Sequence, residues 1–359
     1  MNSNFPIPGP VRMLLFPLSL MYYFGIWVRN KLYDKKFFTS VHFNIPIICV
    51  GNLSVGGTGK SPMVEYLVRL LQHEFAVATL SRGYKRKTKG YALANQDSTA
   101  LEIGDEPMLF YNKFPGVAVS VGEKRQEAIP QLLYDRPDTR VIIMDDAFQH
   151  RAVKSGYNIL LVDSNNLFTR DWYLPTGDLR DEKKSYRRAD LIVVTKCNPE
   201  LTPDQKENIS GEIEPLLHQH LFFSTIRYGM PYHIVSKSTY VITAQVEVLL
   251  VTGIADPSPL KEFLQQHAGT YYQISFHDHQ VYTIDDLDDI VKKFESISCE
   301  AKIILTTEKD AVRLTKFENV VKDLPLYIIP IQHEFLFNEG ERFNELIRRF
   351  IHTFKQSLN

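Results

Sequence analysis

Short apolar runs alternate with stretches of helical spacing along most of the chain. Ile45–Val50 is a compact run rich in β-branched residues and reads as a buried strand. Glycine-rich sequence follows, and Met63–Leu71 then takes helical spacing. Val77–Leu80 reads as the next strand and ends in Ser81-Arg82-Gly83-Tyr84, followed by a basic, solvated loop at Lys85–Lys89. Val117–Val121 reads as a strand, Lys124–Leu133 as a helix, and Val141–Met144 as a strand running into Asp145-Asp146. Asn158–Val162 and Leu191–Val194 repeat the strand pattern. Strands that alternate with helices imply a parallel sheet. The predicted fold is α/β: a P-loop NTPase-type, doubly wound, mostly parallel sheet. Ligands of such sheets bind at the carboxyl ends of strands, where the polar motifs of this chain fall.

Pro199–Tyr240 is less regular. A second set of strands follows at Val246–Val251, Tyr271–Phe276, Lys302–Leu305 and Leu324–Ile329, with helices at Leu260–His267 and Ile284–Glu295 between them. This predicts a second, smaller α/β lobe. The expected division is 1–40, 41–240 and 241–359.

The first of these segments is unusual. Met13–Val28 is uncharged and mostly apolar, with Phe16, Tyr22, Tyr23, Phe24 and Trp27 in it and Arg29, Lys31, Lys35 and Lys36 at or after its end. It falls short of the roughly 20 residues that span a bilayer, and Pro17 and Gly25 interrupt it. Residues 10–36 fit a helix lying in a membrane interface, aromatics in the acyl boundary and basic groups toward lipid phosphates. A helix docked on the protein's own core is the alternative.

Composition adds limits. The chain has 359 residues, 44% hydrophobic and 23% charged, with a formal net charge of −1. That is ample for a core and supplies no global positive field for nucleic acid. Its 3 cysteines, Cys49, Cys197 and Cys299, have neither metal-ligand spacing nor a disulfide framework, which fits a reducing compartment.

Candidate chemistry concentrates at the strand ends. Residues 51–61 read G-N-L-S-V-G-G-T-G-K-S. Gly59-Lys60-Ser61 matches the end of the P-loop pattern G-x-x-x-x-G-K-S/T, while Ser54 stands at its first glycine. The cradle spans Ser54, Val55, Gly56, Gly57, Thr58, Gly59, Lys60 and Ser61. Backbone N–H groups of such a loop curl around phosphate oxygens, and the following helix adds positive potential. Lys60 is placed to reach the β- and γ-phosphates, and Ser61 to offer its hydroxyl to Mg2+. Asp145 and Asp146 end an apolar strand, as in P-loop proteins that hold Mg2+ there; two solvated acids are the alternative. Thr195-Lys196-Cys197-Asn198 lacks the aspartate of a guanine reader, which favours ATP over GTP.

Further motifs run in order across the chain: S-R-G-Y at 81–84, G-D-E-P at 104–107, V-G-x-x-R at 121–125 and D-D-A-F-Q-H at 145–150. L-P-x-G-x-L-R at 174–180, D-H-Q at 278–280 and T-E-K-D-A-V at 307–312 follow. With the P-loop and the apolar N-terminal segment, this series resembles the lipid A 4′-kinase (tetraacyldisaccharide 4′-kinase) family. The resemblance implies transfer of the γ-phosphate of ATP to the 4′-hydroxyl of a tetraacylated glucosamine disaccharide 1-phosphate. It implies a lipid acceptor met at the cytoplasmic face of the bacterial inner membrane, by a peripheral or monotopic enzyme. It also implies roles. Asp105 resembles the catalytic base and His279 the histidine paired with it. Glu106, Asp145 and Asp146 match acidic positions near Mg2+. Arg125, Thr176 and Arg180 match positions near the phosphates or acceptor, with Lys60, Arg125 and Arg180 expected in catalysis; Tyr84, His150 and Thr176 are expected near substrate. Ala147, Ser61 and Asp181 depart from the family's commoner Gly, Thr and Glu. A membrane-docked P-loop NTPase switch is the competing reading, and it needs neither Asp105 nor His279.

Overall fold

The structure is a computed structural model that describes residues 9–278 and 280–356. Two helices open the chain, α1 (Gly9–Leu14) and α2 (Phe16–Asp34). Strand β1 (Ile47–Asn52) leads into α3 (Lys60–Leu71), β2 (Val77–Ser81) and the short β3 (Ala92–Leu93). Next come α4 (Ala100–Ile103), α5 (Asp105–Lys113), β4 (Ala118–Val121), α6 (Arg125–Asp135), β5 (Val141–Asp145) and β6 (Tyr157–Asp163). After a long loop follow β7 (Leu191–Thr195), α7 (Pro203–Ile213), β8 (His220–Tyr228) and β9 (Tyr232–His233). The remainder runs β10 (Glu247–Thr252), α8 (Ser258–His267), β11 (Thr270–Ser275), α9 (Ile284–Glu295), β12 (Lys302–Thr307) and α10 (Glu308–Leu314). It closes with α11 (Glu318–Val321), β13 (Leu326–Ile329), β14 (Ile331–Phe335) and α12 (Gly340–Gln356).

These elements form two compact units, one of residues 1–98, 110–227 and 332–359, the other of 99–109 and 228–331. The first holds a sheet whose strand order is β14-β8-β7-β6-β1-β5-β2-β4-β3 among the described residues. β1 pairs in parallel with β5 on one side and β6 on the other. Alternate residues of β1 feed two cores: Ile47 and Cys49 join Ala128, Ile129 and Leu132 of α6, while Ile48 and Val50 join Met63, Val64, Leu67 and Leu71 of α3. A parallel sheet covered on both faces needs this continuous apolar character. The chain steps from β1 toward β2 on one side and reaches β6 on the other. The end of β1 is therefore a topological switch point, where ligands of such sheets bind.

α12 packs in the first unit, although it follows the second along the chain. Phe343, Leu346, Ile347 and Ile351 form its buried stripe and enter the core of α3. The spacing 343, 346, 347, 351 is one helical face.

The second unit has its own sheet, β11-β10-β12-β13-β9. β10 pairs in parallel with β11 and β12, and β9 closes the edge in antiparallel fashion. Its core joins Leu249 and Val251 to Leu287, Ile290 and Phe294 of α9.

Among the described residues, no helix is long and apolar enough to cross a membrane. α2 lies on the first unit with its polar residues inward. Ser19 and Asn30 are buried, as is Arg12 of α1, while Met13, Leu14, Leu18, Met21 and Phe24 are exposed. Ser19 Oγ donates to Thr176 Oγ1 at 2.7 Å, and Asn30 donates to Asp181 and Glu182, each at 2.8 Å. Arg12 pairs with Asp178 at 2.9 Å. The docked face thus follows hydrogen bonding rather than hydrophobicity.

Candidate functional site

The loop after β1 turns sharply. Gly56 has φ +104° and Gly59 φ +81°, the left-handed region that glycine enters without steric cost. Gly59 caps α3, and Lys60 is its first residue. The loop is fastened from outside. Val55 N donates to Asp178 O at 2.7 Å, and Arg180 N donates to Leu53 O at 2.8 Å. The segment around residues 178–180 therefore lies along the loop. Gly51 lies against Phe148, where an added Cβ would meet the Phe148 backbone nitrogen at 2.8 Å. That close approach seats the 145–150 turn beside the loop.

Three charged groups meet at its mouth. Lys60 Nζ lies 3.7 Å from Asp146 Oδ1, and the Arg180 guanidinium grips both oxygens of the same carboxylate, one of them at 3.1 Å. Burial pushes the Asp146 carboxyl up, but Lys60 and Arg180 more than offset this and hold it well below the usual carboxylate range. Asp146 also has φ +47°. Asn52 joins the group, its Oδ1 accepting from Lys60 at 3.3 Å and from Arg180. Asn52 sits inside the G-N-L-S run, ahead of the P-loop pattern itself.

Arg125 is buried and points inward. It donates to Gly122 O at 2.6 Å and to Asp145 O at 3.3 Å, so it fastens the end of β5. Burial lowers its pKa. Ser61 is buried at the start of α3 and Asp145 at the end of β5. Serine hydroxyl and carboxylate oxygens are hard donors of the kind Mg2+ takes, so Ser61, Asp145 and Asp146 fit that ion in chemistry. His150 is half-buried on Gln126 Oε1 at 3.2 Å. Burial, then Arg125, lower its pKa to about 4. Thr176 accepts from the Ser19 hydroxyl through its Oγ1 and donates its own N–H back to Ser19 Oγ. Tyr84 is exposed, with the Lys85 ammonium 5.6 Å from its ring.

Asp105 and Glu106 lie in the second unit and meet cations on one face of α10. Arg313 Nη2 donates to Asp105 Oδ2 at 2.6 Å, and Lys309 pairs with Glu106. Arg313 also faces Asp310 at 3.5 Å. Asp310 is buried and accepts from Gly253 N at 3.0 Å, Thr307 Oγ1 at 2.8 Å and Tyr282 OH at 3.2 Å. Arg313 directly follows the T-E-K-D-A-V run and was missed by it. His279 lies outside the described residues.

Two more groups hold the loop from behind. Thr195 Oγ1 donates to Thr58 O at 3.0 Å, and His333 Nε2 lies 2.9 Å from Gly59 O. His333 belongs to no motif, and its place beside the loop depends on pairing between distant strands.

Comparison with known proteins is consistent across the chain. The family described as Tetraacyldisaccharide-1-P 4'-kinase matches residues 11–352. A tetraacyldisaccharide 4'-kinase of Bacteroides thetaiotaomicron is 41% identical, covering 94% of this chain and 92% of the relative. One from Flavobacterium johnsoniae is 40% identical, covering 95% and 97%. The crystal structure of the "apo" form of LpxK from Aquifex aeolicus in complex with ATP is similar with a TM-score of 0.74 at 30% identity. It covers 95% of this chain and 99% of that one.

A pH dependence follows from two imidazoles, the half-buried His150 and the buried His333. His150 and His333 both titrate at about 4 in the folded chain, against an ordinary 6.5. Between those values the unfolded chain binds protons that the folded one does not, so stability falls as pH drops through the window. Urea unfolding at pH 7 and pH 5 should show this loss, and His150→Gln should make it smaller. An unchanged loss in that variant contradicts the assignment.

Proposed function

Because the chain belongs to the tetraacyldisaccharide-1-P 4'-kinase family, we propose that it transfers the γ-phosphate of ATP to the 4′-hydroxyl of a tetraacylated glucosamine disaccharide 1-phosphate, a step of lipid A biosynthesis. The observation that carries the site reading is the meeting of Lys60, Arg180 and Asp146 at the mouth of a glycine-rich loop that caps a helix. The loop's N–H groups and the α3 terminus bind the phosphates. Lys60 and the Arg180 fork supply positive charge for the γ-phosphoryl oxygens, where charge gathers in the transition state. Arg125 keeps the end of β5 in place and so positions Asp145 and Asp146.

Ser61, Asp145 and Asp146 would hold Mg2+. The ion would neutralise phosphate charge and orient the γ-phosphoryl group. Asp105 is the proton acceptor. As the acceptor oxygen bonds to the γ-phosphorus, its proton passes to the Asp105 carboxylate, the bond to the bridging β–γ oxygen breaks, and ADP leaves. The Arg313 contact supports this role, because it fixes the carboxylate's orientation within its own unit. His279 is its proposed partner.

The acceptor is a lipid, and the N-terminal helices suit it. Leu14, Met21 and Phe24 are 78%, 72% and 62% exposed, while Arg12, Ser19 and Asn30 are 6%, 2% and 2% exposed. An apolar face turned outward by a helix anchored through polar residues supports docking at a membrane interface. Lys31, Lys35 and Lys36 are exposed at its end and suit anionic headgroups. The exposed apolar face supports a site of action at the cytoplasmic face of the bacterial inner membrane, peripheral or monotopic. A non-catalytic P-loop switch has no use for the Asp105–Arg313 pair.

Incubation with γ-labelled ATP and a tetraacyl disaccharide 1-phosphate, followed by chromatography of the lipid, should show label on the lipid. Lys60→Ala should lose roughly 10²–10³-fold of the rate, as when a charge-stabilising group is removed. Asp105→Ala should lose roughly 10²–10⁴-fold, the range for general bases. Unlabelled lipid sinks the activity; wild-type transfer by Asp105→Ala sinks the base.

Flotation with phosphatidylglycerol vesicles should carry the protein upward. The double substitution Met21→Glu and Phe24→Glu should leave it in the dense fraction. Equal flotation of the two proteins refutes the proposed docking face.

A further inference from the structure

Behind the phosphate loop, two side chains from distant strands hold two consecutive carbonyls. Thr195 ends β7 and is fully buried. Its hydroxyl donates to Thr58 O at 3.0 Å and also lies 3.3 Å from Val162 O. His333 lies on β14, next to β8 in the sheet. Its Nε2 is 2.9 Å from Gly59 O, and its Nδ1 is 3.1 Å from Ser224 Oγ on β8. His333 and Ser224 are buried.

The tautomer follows from the partners. A carbonyl oxygen only accepts, so Nε2 must carry the proton. Nδ1 then accepts from the Ser224 hydroxyl. Burial lowers the ring's pKa to about 4, which keeps it neutral at pH 7 and leaves Nδ1 its lone pair.

The effect on the loop is geometric. A trans peptide is planar, with its C=O and N–H pointing to opposite sides. Fixing the Thr58 carbonyl toward Thr195 sends the Gly59 N–H the other way. Fixing the Gly59 carbonyl does the same for the Lys60 N–H. Gly59 O also accepts from Met63 N at 3.1 Å, the first helical bond of α3. His333 therefore adds a second, lateral hold on a carbonyl that the helix holds along its axis. It is also a wedge, because a Cβ on Gly59 would come within 3.1 Å of the imidazole.

We propose that His333, together with Thr195, is a positioning residue for ATP: the two hold the Gly59 and Thr58 carbonyls so that the Lys60 and Gly59 N–H groups face the nucleotide phosphates. This rests on residues 54–61 being the phosphate cradle. It gives the return of the chain to the first unit a catalytic consequence. β14 delivers into the sheet the imidazole that sets the loop.

Four variants test it, each read by ATP affinity in calorimetry, by lipid KM and by thermal melting. His333→Leu keeps bulk but cannot donate. It should weaken ATP roughly tenfold, the scale of one lost buried hydrogen bond, with lipid KM unchanged. His333→Gln keeps an N–H donor and should recover most of the affinity. Thr195→Val should weaken ATP by a similar factor. Lys60→Ala reports on the cradle itself. Wild-type ATP affinity in His333→Leu, or His333→Gln as weak as His333→Leu, overturns the proposal while Lys60→Ala, if impaired, leaves the cradle standing. If His333→Leu does not fold, Thr195→Val decides: wild-type affinity there overturns the proposal, and weakened affinity at an unchanged melting temperature sustains it. Wild-type ATP binding by Lys60→Ala overturns the cradle, and the proposal with it.

Discussion

The carboxylate of Asp146 is the point on which the proposed phosphate site depends. It sits at the end of a buried strand, in a left-handed backbone conformation, between the ammonium of Lys60 and the fork of Arg180. A partly buried carboxylate without a cation is costly, and so is a partly buried cation without an anion. Each member of the trio thus makes the others tolerable at the mouth of the loop. Asn52 bridges the two cations from β1, and Gln149 donates to the Asn52 carbonyl at 2.6 Å, so the 145–150 turn and the loop share one network. Phosphate oxygens would compete with Asp146 for the same two cations. The site holds its positive charge ready and neutralised.

The segment that carries Arg180 does a second job. Thr176, Asp178 and Asp181 receive Ser19, Arg12 and Asn30 from the N-terminal helices. Asp181 is also held by Arg188 at 2.9 Å, and the Arg188 guanidinium stacks 4.6 Å from the Phe148 ring. One loop therefore touches the glycine-rich turn on one side and the proposed lipid-facing helix on the other. The helix's inward face is chosen by hydrogen bonds to this loop, which is why its apolar residues remain outside.

Much of this was legible in the sequence. The strands Val77–Leu80, Val141–Met144 and Leu191–Val194 lie within the observed ones, and the helix Ile284–Glu295 agrees at both ends. Period-2 and period-3.6 patterns carry that information locally. The glycine-rich turn ahead of α3 was legible because its glycines and Lys60 are contiguous. What failed to show was non-local. β8 hides in the irregular stretch after Pro199, because His220–Tyr228 mixes polar and aromatic residues. α12 looks like the end of the second lobe and packs in the first unit, a fact set by the cores it meets. Arg313 and His333 gain their roles only when strands and helices far apart in sequence are paired. The orientation of α2 was also hidden: apolar spacing alone does not say that Ser19 and Asn30 face inward.

The central claim is that Lys60 and Arg180 share their charge between Asp146 and a nucleotide γ-phosphate. A crystal structure with Mg2+ and a non-hydrolysable ATP analogue tests it most directly. The account predicts the Lys60 ammonium on β- and γ-phosphate oxygens, the Arg180 guanidinium within hydrogen-bond reach of the γ-phosphate, and the Gly59 and Lys60 N–H groups facing the phosphates. Phosphates bound elsewhere, with Lys60 and Arg180 still closed on Asp146 alone, would contradict it.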